Sequence, residues 1–253
     1  MKLGISTQIT ISTSDVQKSY LFYNKLGFNK ITGNDIPNPW IEMRDGGGLT
    51  ILLNQDGQHY MGLTYFARDM DLRVDAFERA GIKFLVKNEK GGEFFQGIFV
   101  SPNDLFVSLV QYDNTTPQQD SVNLRNFNAE DYDKPEKYPN SKCGIFGELC
   151  IPVKVLEVSF NFWKKLGFET LSINEEPYPW AVISDGLNIL GLHQTEEFKQ
   201  PALTFFARDM KTRIERLKAS GIDTIRSFGE PDEHPANAVA STPEGQKIFL
   251  FSF

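Results

Sequence analysis

The phrase "GLTYFARDM" runs from Gly62 to Met70, and "ALTFFARDM" runs from Ala202 to Met210. Seven of the nine residues are identical, and the copies stand 140 positions apart. Each reads as a strand, "LTYFARD" or "LTFFARD", running into a helix. In the first copy Met70, Val74 and Phe77 supply the apolar helical stripe. The same offset links "NKLGF", ending at Phe28, to "KKLGF", ending at Phe168. It also links Pro37, Pro39 and Trp40 to Pro177, Pro179 and Trp180, and Asp45-Gly46 to Asp185-Gly186. Only near the end does it slip by one, where "SPND" around Pro102 faces "TPEG" around Pro243. A fixed long period of this kind marks a duplicated domain.

Each half carries the same order of elements twice. "ISTQITIST" alternates like a half-buried strand. Ser14-Asp15 then offers helix-capping side chains, and Val16, Tyr20 and Tyr23 follow on one helical face, with Leu26 close by and an end near Gly27. Leu156, Phe160, Trp163 and Leu166 form the equivalent stripe. Three short strands follow the first helix, around Phe28–Thr32, Trp40–Met43 and Leu49–Leu53, and three follow the second, "IKFLV", "GIFVS" and "LFVSLVQ". The expectation is an α+β fold of four βαβββ units, with domains at 1–112 and 143–253 joined by a polar, proline-containing linker at 113–142.

The bulk numbers exclude several classes. The chain has 253 residues, 40% of them apolar, with 21 Phe and a net charge of −7. Such an acidic chain without a basic block repels phosphate backbones, so nucleic acid is not an expected partner. No run approaches the roughly 18 apolar residues of a membrane span, and the N-terminus reads as a strand rather than a signal peptide. Cys143 and Cys150, if their segment is extended, lie over ~20 Å apart, too far for a disulfide. A reducing, cytoplasmic setting is expected.

An aromatic-rich helix ending in "LGF", a strand running into Asp and a helix, and a "PND" or "PEG" turn before a last strand resemble the vicinal oxygen chelate superfamily. That superfamily includes glyoxalases, bleomycin-resistance proteins and extradiol dioxygenases. The resemblance covers almost all of the chain outside the linker. It implies two tandem glyoxalase-like domains whose mixed sheets curl into ligand-holding cups, and in enzymatic members a divalent metal.

The family's metal ligands can be followed residue by residue. The position seven before the Asp that opens the first helix is Gln8, and in the second half Glu148. The family's His at the start of the "ARD" strand is replaced by Gly62 and Ala202, and its Glu in the last strand by Ser108 and Phe249. A further family Glu falls within "ILLNQ" or "LGLHQ", which contain no carboxylate. Only Gln8 and Glu148 could bind a metal, joined by His193 if the register differs. Catalytic metals need about three protein donors, so no metal and no other cofactor is expected.

Strand alternation places Thr64, Phe66 and Arg68 on the cup face with Gln8, Thr10, Ser12, Phe106, Ser108 and Val110. In the second half it places Glu148, Cys150, Thr204, Phe206, Arg208, Phe249 and Phe251 there. Trp40 and Trp180 either stack on a ligand or pack the sheet. Arg68 and Arg208 either clamp an anion or cap the sheet rim through salt bridges. Glu148 is read as a general base or as a strand-end carboxylate paired with Arg208 or another cation. His193 is read as an acid/base or ligand or, the leading expectation, as a surface-loop residue, and His59 and His234 are expected in solvated turns.

Part-aromatic, part-polar cups with few titratable groups suit an organic ligand better than water activation. The leading expectation is a metal-independent small-molecule binding protein of the glyoxalase/bleomycin-resistance type. The alternative is a lyase, isomerase or ring-cleaving dioxygenase with a non-standard metal site around Glu148. With four units in one chain, a monomer acting as its own pseudo-dimer is expected, or a homodimer.

Overall fold

The structure, a computed structural model, describes residues 2–88, 96–111, 129–226 and 236–253. His234 and linker residues 113–128 lie outside these. The first half contains β1 (Ser6–Ser12), α1 (Val16–Lys25), β2 (Asn29–Asn34), β3 (Trp40–Arg44) and β4 (Thr50–Asn54). It continues with β5 (Met61–Ala67), α2 (Met70–Arg79), β6 (Phe84–Lys87), β7 (Gln96–Val100) and β8 (Phe106–Gln111). The second half repeats this as β9 (Ile145–Pro152), α3 (Leu156–Lys165), β10 (Glu169–Asn174), β11 (Trp180–Ser184) and β12 (Ile189–His193). Then come β13 (Ala202–Phe206), α4 (Met210–Ala219), β14 (Thr224–Arg226), β15 (Ala238–Ser241) and β16 (Lys247–Phe251).

Each half forms one eight-stranded mixed sheet, in the order β2-β3-β4-β1-β5-β8-β7-β6 and its repeat β10-β11-β12-β9-β13-β16-β15-β14. The first strand of every unit lies parallel to its last, β1 to β4 and β5 to β8. The two units of a sheet meet through antiparallel β1 and β5. This is the expected set of four βαβββ units.

The helices form where the sequence stops and starts them. Asp15 caps α1 by accepting from Gln17 N and Lys18 N at 3.1 and 3.0 Å. Gly27, at φ 91°, turns the chain out of the helix in the left-handed region that favours glycine. The buried residues of α2 are Met70, Val74 and Phe77, the stripe anticipated from their spacing.

One continuous core runs through both halves. It takes Ile9, Ile11, Leu63, Tyr65, Val107 and Leu109 from the first sheet and Leu149, Ile151, Leu203, Phe205, Ile248 and Leu250 from the second. The intervening positions face the cups. The described end of the linker is part of the packing as well. Tyr138, Asn140 and Cys143 are buried, and Asn140 Oδ1 accepts from the backbone N–H of Lys142 and Cys143.

Candidate functional site

In the first half, polar side chains on neighbouring strands bond to one another. Thr10 and Thr64 hydroxyls lie 2.8 Å apart, and Gln96 Nε2 donates to Ser108 Oγ at 2.8 Å. Gln8 is buried beside them. A Cβ on Gly62 would overlap the Phe106 carbonyl oxygen, so that position has no room for a liganding side chain. At the rim, Asp56 accepts from Ser12 Oγ (2.8 Å), Asn54 Nδ2 and Tyr60 Oη (both 2.9 Å). Burial and the Asp56 carboxylate push the Tyr60 phenol up to about 12.

The second cup is built differently. Glu148 and Cys150 share one face of β9, and Gly191 and His193 share the same face of neighbouring β12, because Cys150 pairs with Gly191 and Pro152 with His193. Glu148 Oε1 lies 2.8 Å from His193 Nε2, and Cys150 Sγ lies 3.1 Å from the same oxygen. Thr204 Oγ1 is 2.8 Å from Cys150 Sγ. Tyr178 Oη stands 3.4 Å from His193 Nδ1, and Trp180 stacks on the imidazole at 6.2 Å and 18°. The tautomer that satisfies both ring contacts has Nε2–H donating to Glu148 and Nδ1 accepting from Tyr178. Burial first, and then the Glu148 charge, push the Cys150 thiol well above its ordinary value, so by itself it stays protonated.

Two expectations are corrected here. His193 is not in a surface loop but closes β12, with its side chain only 14% exposed. The sequence register hid it, since the β3–β4 turn is one residue shorter in the second half. His193 therefore stands opposite Trp180 as Asn54 stands opposite Trp40. Glu148 does not meet Arg208, which pairs with Asp133 at 2.7 Å and lies over the Phe253 ring. Arg208 and Arg68 lie beyond the ends of β13 and β5, and both are exposed.

The remaining candidate residues are spread over both cups. Trp40 and Phe66 are half-buried in the first domain. In the second, Trp180 Nε1 donates to Glu176 O, and Phe206 occupies the space a side chain on Gly147 would need. Phe249 packs with Phe198, Ala202, Val239 and Cys150 in a small second cluster. Phe198 therefore touches both Phe249 (5.4 Å) and His193 (6.0 Å). It also lines a cleft of about 480 Å³, shared with Tyr60 and Phe106 of the first half and Pro152 and Lys154 of the second. That volume is in the range that holds small ligands.

Most of the metal-ligand positions that the resemblance implies are not filled by donors. Gly62, Ala202 and Phe249 offer no donor, and Ala202 and Phe249 are packed into the apolar cluster. The one grouping of donors found among the described residues is Glu148, Cys150 and His193, whose ligand atoms all lie within 4.8 Å of one another.

Two eight-stranded sheets of paired βαβββ units make up the tandem vicinal oxygen chelate fold. Among solved structures, this chain is similar to a catechol 2,3-dioxygenase at 13% identity and TM-score 0.61, over 100% of this chain and 88% of that one. It is also similar to the 2,3-dioxygenase LapB from Pseudomonas sp. KL28 (12%, TM-score 0.57, 98% and 91%). A third is the Mn(II)-bound glyoxalase from Novosphingobium aromaticivorans (13%, TM-score 0.57, 98% and 81%). At these identities the likeness is one of fold. No protein-family model and no curated protein matches the chain. Among the described residues, no helix is long and apolar enough to cross a membrane.

Proposed function

We propose that the chain binds a small organic ligand at its second cup, in the manner of the glyoxalase and bleomycin-resistance branch of the fold. One observation carries this reading: a carboxylate–imidazole pair, buried Glu148 and half-buried His193, is set among Tyr178, Trp180, Phe198 and Phe249. Aromatic walls around a few convergent polar groups are what organic-ligand sites present. Glu148 would accept a hydrogen bond from the ligand through Oε2, while Oε1 holds the imidazole. The cleft beside Phe198 would take the ligand's body. The first half, where Thr10 bonds to Thr64 and Gln96 to Ser108, serves as scaffold. Independence from metal belongs to this reading at Gly62, Ala202 and Phe249, the expected ligand positions that carry no donor. A monomer working in a cytoplasmic setting as its own pseudo-dimer completes it.

The test is a thermal-shift screen of a chemically broad small-molecule panel. A ligand present at about 100 times its Kd adds about 2.7 kcal/mol of stability. True ligands should raise the melting temperature of the wild type and lose that effect in Glu148→Gln and His193→Ala. A panel without hits, or hits indifferent to both changes, would refute the proposal.

A second reading, a lyase or ring-cleaving dioxygenase of the same fold, is favoured by the Glu148–Cys150–His193 grouping. It requires turnover that disappears in Glu148→Ala while the protein stays folded.

A further inference from the structure

The two cups share a backbone, so their differences can be taken position by position. Where the first has Gln8, Thr10, Leu52 and Asn54, the second has Glu148, Cys150, Gly191 and His193. These replacements depend on each other. A Cβ on Gly191 would overlap the Glu148 carboxyl group, so the glycine is what lets Glu148 lie flat across β12 toward His193. Leu52, at the matching place in the first cup, would fill that space. Three donors and the vacancy that seats one of them occur together in the second domain.

The donors also suit one another chemically. Carboxylate oxygen, imidazole nitrogen and sulfur converge within 4.8 Å. Two ligands of one tetrahedral zinc ion stand about 3–4 Å apart, given metal–ligand lengths of about 2.0–2.3 Å. Three protein ligands with a fourth position left open is the arrangement of catalytic zinc sites. A sulfur donor disfavours magnesium and calcium, which take oxygen. The surroundings orient each group: Tyr178 stands at Nδ1, Trp180 stacks on the ring, and Thr204 lies against Sγ. Partners of this kind hold ligands in place in known metal sites.

We propose that Glu148, Cys150 and His193 form a zinc-class divalent metal site in the second half, in which Cys150 and His193 join Glu148 in place of the donors missing at Ala202 and Phe249. It lies in the same cup as the ligand proposed above and rests on that cup being the working one. Binding converts the Cys150 thiol to a metal-bound thiolate and releases its proton to solvent, so affinity rises with pH.

The experiment uses the full chain, reduced and stripped of metal by a chelator. Zn2+ is titrated against a chromophoric competitor, and Co2+ is followed by absorption. One metal per chain is expected, with a thiolate-to-cobalt charge-transfer band in the near ultraviolet. Cys150→Ser should abolish that band. His193→Asn, which installs the first domain's residue, should weaken binding by more than the roughly 10–100-fold cost of losing an outer partner. Gly191→Leu should weaken it too by displacing Glu148, and circular dichroism verifies that each variant is folded. A folded wild type that takes up no metal would overturn the inference. So would Co2+ binding without the thiolate band, or binding that ignores Cys150→Ser and His193→Asn. Repeating the ligand screen on metal-free protein separates the two proposals: hits that persist without any metal binding sink only this one.

Discussion

At the scale of single residues, the one internal mismatch in the repeated phrase, Tyr65 for Phe205, has a physical reason. Tyr65 Oη donates to Asp185 Oδ2 at 2.7 Å and accepts from Asn188 Nδ2 at 2.7 Å, across the junction between the domains. The equivalent carboxylate, Asp45, is met instead by Asn140 Nδ2 at 3.3 Å, so Phe205 needs no hydroxyl. Tyr65→Phe leaves the buried Asp185 Oδ2 without that donor and Asn188 Nδ2 without that acceptor, and should cost about 1–3 kcal/mol, read as a lowered melting temperature. The two cysteines make a second prediction. Both are free and buried, and burial raises both thiols well above their ordinary values, with Asp45 adding to Cys143 and Glu148 to Cys150. Above about pH 8.5 the unfolded chain loses these protons while the folded chain keeps them. The unfolded state then binds fewer protons, so stability falls as pH rises. Urea unfolding in the reduced state should show a lower midpoint at about pH 10 than at about pH 8. Double replacement by alanine should flatten that slope, and an unchanged slope would refute the cause.

At the scale of elements, helices α1 and α3 begin differently although their sequences repeat. Asp15 caps α1, but Val155 stands at the start of α3 and offers no side-chain acceptor. Both helices receive a second acceptor from the chain just past a strand: Gln55 Oε1 takes Val16 N–H at 3.0 Å, and Gln194 Oε1 takes Leu156 N–H at 2.8 Å. Gln194→Ala should therefore destabilise more than Gln55→Ala, by about 1 kcal/mol or more against less than that. Urea midpoints of the two variants decide it, and equal losses would contradict the argument. Elements of this kind were legible because period and capping are local. Val16, Met70, Val74, Phe77 and Gly27 announce their roles within a few positions of chain. The cup was legible only in part. Glu148 follows from the family resemblance and the repeat, but His193 comes within reach of it through the β9–β12 register and a one-residue shorter turn. Gly191 matters only because a carboxyl group from another strand fills its empty side. Contacts between strands distant in sequence leave no period to read; comparing the two turns, "DGGGLT" and "DGLNIL", was the one available signal.

At the scale of the molecule, the duplication has produced an interface that repeats itself about a pseudo-two-fold axis. Asn103 Nδ2 donates to Ser159 Oγ of α3 at 2.8 Å, and at the matching place Ser19 of α1 bonds to Glu244. Phe99 of the first sheet meets Phe162 of α3, and Pro139 sits against Gly46 and Gly47. Arg213 is buried, donates to Ser141 O and Pro135 O at 2.9 Å each, and lies over the Tyr138 ring at 5.2 Å. It thereby ties the described end of the linker to α4. With one core continuous across both sheets, unfolding either half would expose apolar surface on the other. The chain should therefore unfold in a single transition rather than two. Trp163 and Trp180 lie in the second domain and only Trp40 in the first, so tryptophan fluorescence mostly reports the second, whereas far-ultraviolet circular dichroism reports both. Coincident urea transitions by the two probes are the expected result. Asn103→Ala should lower the common midpoint without splitting it, because the loss falls on contacts both halves share. A fluorescence transition separated from the dichroism transition in the wild type would mean that the halves are stable apart, and the interface would then be a contact between finished domains rather than part of one fold.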